Sequence, residues 1–182
     1  MKFKSIQKKD KLNRTVVLRS AQAEDGEELL LFLKTAAGET PFLIREPDEV
    51  TLTPEQERAF IQSKTENPRE LMLIAEIDGE HAGNCSVMSL GTYRRYEHRC
   101  EIAIALYQKY CNSGIGTMLL ETALAAAKEM GYQQAELEVI SDNKSAISLY
   151  EKLGFKKYGT FPKNMKYADG TYADADWMMK KI

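Results

Sequence analysis

Along the chain, stretches in which apolar residues recur every second position alternate with stretches in which they recur every third or fourth. Arg14–Arg19 (RTVVLR) is β-branched and predicts a strand. Asp25 to about Ala37, carrying EELLLFLKTAA, has the composition of a helix, and FLIREPDEV after it is a polar, proline-containing connection. A second helix is predicted from Pro54 to about Lys64. Thr53 is placed to cap it, Pro54 takes the first helical position and Gln56 closes a capping box. ELMLIAEIDGEHAGNCSVMSL then predicts two strands folded back on each other at Asp78-Gly79, a strong hairpin signal.

From Arg99 the run CEIAIALY predicts another strand. Ile115 to Met130 predicts a helix with Leu119, Leu120, Ala123 and Ala127 on one face and Gly131 as its stop. Ala135–Ile140 (AELEVI) predicts a strand. SDNKSAISLYEKLG predicts a helix whose Ala146, Leu149, Tyr150 and Leu153 share a face and which Gly154 ends. FKKYG and a final strand, ADADWMMKKI, complete the pattern. A strand, a long helix and a second strand make a crossover unit, so strands 99–106 and 135–140 are expected to lie parallel. With antiparallel hairpin strands before them, the expectation is a mixed α/β sheet within one domain over residues 1–182.

Composition narrows the partners. The 182 residues are 43% hydrophobic and 29% charged, with a net charge of −2, which argues against a general nucleic-acid or membrane-surface binder. Cys85, Cys100 and Cys111 form no C-x-x-C pair, so neither a disulfide framework nor a zinc site is expected, and a reducing cytoplasm fits. His81 and His98 are too isolated to suggest a metal site. The N-terminus is basic but lacks the apolar run of a signal peptide, and no stretch is apolar enough to span a bilayer.

The chemistry gathers around CNSGIGTMLL. Gly114 and Gly116 stand at the mouth of a helix, where unpaired N–H groups and the helix dipole favour an anion and glycines let a phosphate approach; a tight turn alone would also explain them. A P-loop needs Gly-Lys-Ser/Thr, but Gly116 is followed by Thr117-Met118, and a dinucleotide fingerprint needs glycine where Leu119 stands. A pyrophosphate whose remaining length lies along the preceding strand is the third option.

LEVISDNKSAISLYEKLGF, with IALYQKYCNSGIGTMLL upstream, resembles the GNAT acyltransferase superfamily, in pattern closest to its ribosomal-protein alanine N-acetyltransferase branch. The resemblance is strongest from about Arg99 to Gly159, the half that would hold coenzyme A. It implies the GNAT acyl-CoA N-acyltransferase fold, with a central, mostly antiparallel sheet, one parallel crossover and helices on both faces. It implies acetyl-CoA as co-substrate and a small-molecule or peptide amine as acceptor. The family's loop has Gln or Arg where Cys111 stands here. By position, Ile104, Ala105 and Leu106 would bind the pantetheine arm through their main chain, with a strand amide near Leu106 stabilising the oxyanion. Asn112, Ser113, Gly114, Ile115, Gly116 and Thr117 would hold the pyrophosphate, and Asn143 would contact the pantetheine. Tyr150 would be the general acid, and Glu138 or Glu101 the base.

Other readings stand beside these. Tyr150 lies on an apolar stripe that core packing also explains. Glu138, between Leu137 and Val139, points to the opposite sheet face, and solvation alone would account for it. Cys111 precedes a helix start that could activate its thiol. The acidic residues Glu46, Asp48, Glu49, Glu55 and Glu57 could draw in a cationic amine or simply border a helix. A non-catalytic acyl-CoA sensor is the alternative to an enzyme, and the final strand is free in this reading to pair across a homodimer.

Overall fold

The computed structural model describes residues 2–182. Eight strands form one sheet: β1 (Ile6–Lys9), β2 (Thr15–Ser20), β3 (Leu71–Ile77), β4 (Glu80–Ser89), β5 (Arg99–Leu106), β6 (Gln134–Ile140), β7 (Lys156–Lys166) and β8 (Tyr172–Lys181). Their order across the sheet is β1-β2-β3-β4-β5-β6-β8-β7, and among the described residues only β5 and β6 pair in parallel. The helices are α1 (Gly26–Glu39), α2 (Pro54–Glu66), α3 (Ile115–Glu129) and α4 (Lys144–Lys152).

Both faces of the sheet are covered, which is why β3 (LMLIAEI) is nearly continuous in apolar residues rather than alternating. Leu71, Leu73 and Ala75 face α3 and join Ile115, Leu119, Leu120, Ala123 and Ala127 in the larger core. Ile74 points the other way, to Leu29 and Phe32 of α1 and Ile61 of α2. The β3–β4 turn takes Asp78 and Gly79 at φ 53° and 82°, the left-handed pair that suits a tight hairpin. The α2 capping box forms as expected, with Thr53 accepting from the Gln56 amide.

Three features depart from expectation. β1 is a strand that its polar sequence, IQKK, does not advertise. β7 continues well past FKKYG, through Pro162, with register shifts between Lys157 and Gly159 and between Phe161 and Met165. The final strand, β8, is hydrogen-bonded on both sides, to β6 and β7, so it has no free edge with which to pair across a dimer. The sheet's edges are β1 and β7.

The site depends on how β5 and β6 part. They pair over only three positions, Arg99–Gln134, Cys100–Ala135 and Glu101–Glu136, although β5 runs on to Leu106 and β6 to Ile140. Beyond Glu101 the sheet splits and leaves backbone edges facing each other across a gap.

Candidate active site

The split opens a cleft of about 860 Å³ lined by Glu101–Leu106, Glu138–Ile140, the glycine loop and α4. On the β5 side its backbone is oriented by pairing with β4. Tyr107 N donates to Ala82 O on β4, so by strand alternation the Leu106 and Ile104 N–H groups face the gap. Ala105, between them, turns its backbone to β4. Phe42, Leu43 and Ile44, from the α1–α2 connection, line the cleft as well.

At one end lies the loop before α3. Gly114, the N-cap residue, sits at φ 96°, where a side chain would be strained, and Asn112 is left-handed at φ 61°. Met118 N makes the first intrahelical bond, to Gly114 O, so the amides of Ile115, Gly116 and Thr117 lack partners within the helix. The side chains here do other work. Ile115 is fully buried in the core, and Ser113 Oγ donates to Tyr110 O at 2.6 Å. Gly116 serves a packing need: a Cβ there would lie 3.1 Å from Leu149 Cδ2 on α4. Cys111 is exposed as a residue, but partial desolvation of its sulfur, with Glu39 nearby, holds its thiol above the usual range.

The far end of the cleft is acidic, and the carboxylates on it, Glu101 and Glu138, and beside it, Glu136, differ in environment. Glu136 is held by Arg99, with Nη2–Oε2 at 2.7 Å, and by Gln134 Nε2 at 2.7 Å; the Arg99 bond keeps it below the ordinary carboxylate range. Glu138 accepts from Asn164 Nδ2 and from Trp177 Nε1, each at 2.8 Å. Glu101 has neither hydrogen bond nor ion pair from its carboxyl among the described residues. Burial first, then the charges of Glu138 and Glu136, push it above its ordinary pKa. It is the carboxyl whose environment favours taking up a proton.

Tyr150 is 7% exposed, its ring 5.9 Å from that of Phe155, and it lines the cleft. Among the described residues its hydroxyl has no hydrogen-bond partner, and burial raises its pKa well above the usual phenol range. Asn143 caps α4, its Oδ1 accepting from Ala146 N at 3.2 Å, which leaves its amide NH₂ free of that duty. The basic side chains on the lining are Lys11 and Lys152; the acidic ones are Glu39, Glu101 and Glu138. The acidic run of the α1–α2 connection is local structure: Glu46 and Glu49 box a single 3-10 turn, and Glu57 is 3% exposed.

Residues 38–155 match the model of the acetyltransferase (GNAT) family. The chain belongs to this family. An N-alpha-acetyltransferase of Sulfurisphaera tokodaii is 36% identical over 107 residues, 53% of this chain and 62% of that protein, so the likeness spans less than two thirds of the relative. The crystal structure of a GNAT acetyltransferase from Streptococcus pneumoniae, 28% identical, superposes with a TM-score of 0.88 over 92% of this chain and 99% of its own. A phosphinothricin acetyltransferase from Sinorhizobium meliloti, solved in complex with AcCoA, gives a TM-score of 0.81 over 92% of this chain and 88% of its own; at 18% identity it speaks for the GNAT fold alone.

Of the expected site residues, the structure brings all but Ser113 and Ile115, whose side chains are buried, to the lining of one cleft. Ala105 lines it too but turns its main chain to β4, against expectation, and some residues of the site were passed over by sequence patterning. Lys11 arrives from the β1–β2 turn, and Trp177 and Asn164 arrive from β8 and β7 to hold Glu138. Only the exposed tryptophan in an otherwise alternating final strand hinted at any of them.

Proposed function

We propose that the protein transfers an acetyl group from acetyl-CoA to a primary amine without an acyl-enzyme. The observation that carries this is the parting of β5 and β6, which joins unpaired amides of the glycine loop at one end to an unpartnered, proton-seeking carboxyl, Glu101, at the other. The diphosphate lies on the amides of Ile115, Gly116 and Thr117, and the pantetheine arm pairs with the gap-facing backbone of Ile104 and Leu106, as an added strand would. Asn143 contacts the arm through its free amide NH₂.

Glu101 takes a proton from the incoming ammonium. The freed amine attacks the thioester carbonyl, whose developing oxyanion is met by the Leu106 N–H. Collapse of the tetrahedral intermediate breaks the C–S bond, and the departing thiolate takes the Tyr150 proton. The surplus proton on the newly acylated nitrogen returns to the Tyr150 oxygen, leaving a neutral amide, a free thiol and a regenerated phenol. Glu138, held by two neutral donors, acts through its fixed negative charge, which keeps Glu101 basic. That favours Glu101 over Glu138 as base. The reading is tested by screening a panel of amines (peptide N-termini, amino acids, polyamines) for release of free thiol from acetyl-CoA. A protein that binds acetyl-CoA but releases thiol with none of them is an acyl-CoA sensor instead.

A further inference from the structure

The family's loop carries Gln or Arg where Cys111 stands, so this chain lacks a side chain that helps hold the diphosphate. We propose that Lys11 replaces it, reaching the diphosphate of acetyl-CoA from the β1–β2 turn. The proposal rests on the acyl-CoA reading above.

The turn is built to hold its shape. Asp10, its side chain fully buried, accepts from the amides of Leu12 at 2.9 Å and Arg14 at 2.8 Å and from Arg14 Nε at 2.8 Å. Asn13 turns the chain at φ 61°, and the Arg14 guanidinium lies 5.5 Å from the centre of the Tyr110 ring. This rigid turn is bonded to the glycine loop, with Lys11 N donating to Ser113 O at 3.0 Å. The Lys11 stem lies beside Gly114, where a Cβ would stand 3.5 Å from its Cγ, and Nζ donates to Asn112 O at 3.2 Å. An ammonium has three protons, so two remain for an anion. Among the described residues no carboxylate pairs with Lys11, and it lines the cleft. Cys111 cannot take the role: its thiol, held above the usual range, supplies no positive charge. Lys152, the other basic residue on the lining, is on the last turn of α4 rather than on the loop.

Calorimetry on the full chain, with coenzyme A and 3′-dephospho-coenzyme A as ligands, tests this, with pantetheine binding followed by ligand-observed NMR. Lys11→Gln keeps the main-chain bond to Ser113 and should melt with the wild type. It should weaken both nucleotide ligands alike, by about 10-fold, as loss of a charge-assisted hydrogen bond implies, and leave pantetheine unchanged. Adding Cys111→Arg to Lys11→Gln should restore most of the lost affinity. Unchanged coenzyme A affinity in Lys11→Gln overturns the proposal. A loss shared by pantetheine overturns it too, since the loop itself would then have been disturbed. A loss confined to coenzyme A and absent for the dephospho form would move Lys11 to the 3′-phosphate and overturn the diphosphate assignment. If the wild type binds neither nucleotide, the acyl-CoA reading itself falls, whatever Lys11 does.

Discussion

Trp177 and Glu138 face each other across β8 and β6, and the indole Nε1 donates to the carboxylate Oε2 at 2.8 Å. Asn164, from β7, takes the other oxygen at the same distance. Two neutral donors thus fix the carboxylate in place without cancelling its charge. Across the parted strands, Glu101 feels that charge with no partner of its own among the described residues, on top of its burial. One carboxylate is held still and the other is left basic, and a base and its electrostatic neighbour need that division.

From this relationship follows a difference between two isosteric variants. On the proposed mechanism Glu101→Gln removes the base, so kcat/KM should fall about 10²-fold or more and lose its acidic limb. Glu138→Gln keeps the base but removes the like charge beside it, so the limb should move to lower pH while activity at high pH changes little. A pH profile of each variant with one active amine decides the assignment. If Glu138→Gln abolishes the limb and Glu101→Gln only displaces it, the roles are reversed.

The same shift bears on stability. A carboxyl whose folded pKa lies above its unfolded value binds protons more tightly when folded. Stability therefore falls as pH rises from the ordinary carboxylate range through Glu101's raised value. Above that window the ionised, half-buried group destabilises the fold in full; below the ordinary range the effect vanishes. Glu101→Gln should therefore melt higher than the wild type at neutral pH and lose that advantage on acidification into the ordinary carboxylate range. Thermal melts at a series of pH values measure it, and a variant less stable at neutral pH contradicts the environment assigned to Glu101.

Local patterning made most of the fold legible. Thr53-Pro54-Gln56, Asp78-Gly79 and the apolar stripe of α3 each signal through neighbours in sequence, and the crossover logic paired β5 with β6 in the right sense. What escaped was held by distant partners. IQKK is polar because one edge strand paired only to β2 need bury little, and β7 reads poorly through Gly159, Pro162 and its irregular register. The place of β8 inside the sheet depends on a hairpin whose outer arm is that irregular strand. In the site, the glycine loop stood out by spacing, whereas both carboxylates were singled out only through the family resemblance. No spacing could foretell that Glu136 is neutralised by Arg99 while Glu101 is left alone, because that contrast exists only once β5 and β6 are side by side.

The two glycines of the loop are required for different reasons, and substitution should separate them. At Gly114 the backbone is left-handed, so Gly114→Ala strains the loop by about 1–2 kcal/mol and should weaken coenzyme A through the displaced amides. At Gly116 the backbone is ordinary but a methyl would press on Leu149, 3.1 Å away, and push α4 from the cleft. Gly116→Ala should therefore lower the melting temperature of the free protein and couple to Leu149→Ala in a double-mutant cycle, while Gly114→Ala shows no coupling to Leu149. Additivity at both sites would mean that α4 yields without cost and that Gly116 is not a packing residue.

Tyr150 offers the sharpest test of the proton path. Its ring belongs to the core, against Phe155, but the residue also lines the cleft, and its hydroxyl has no partner among the described residues. Tyr150→Phe therefore removes an oxygen that holds nothing in the free protein, and the melting temperature should stay within a degree or two, since so small a change in an unbonded position costs little. Burial keeps the phenol protonated across the working range. The same exclusion of water raises the basicity of a thiolate formed beside it, so in the proposed mechanism the proton would pass between two groups that are penalised alike for carrying charge. Without that proton the C–S bond must break to a bare thiolate, and kcat should fall by about 10²–10⁴-fold, the usual contribution of a positioned acid. The deficit should shrink when the leaving group is made a better one: an acetyl donor built on a more acidic thiol needs the proton less, so wild type and Tyr150→Phe should converge on it. Equal rates for the two proteins with acetyl-CoA itself would make Tyr150 a packing residue only.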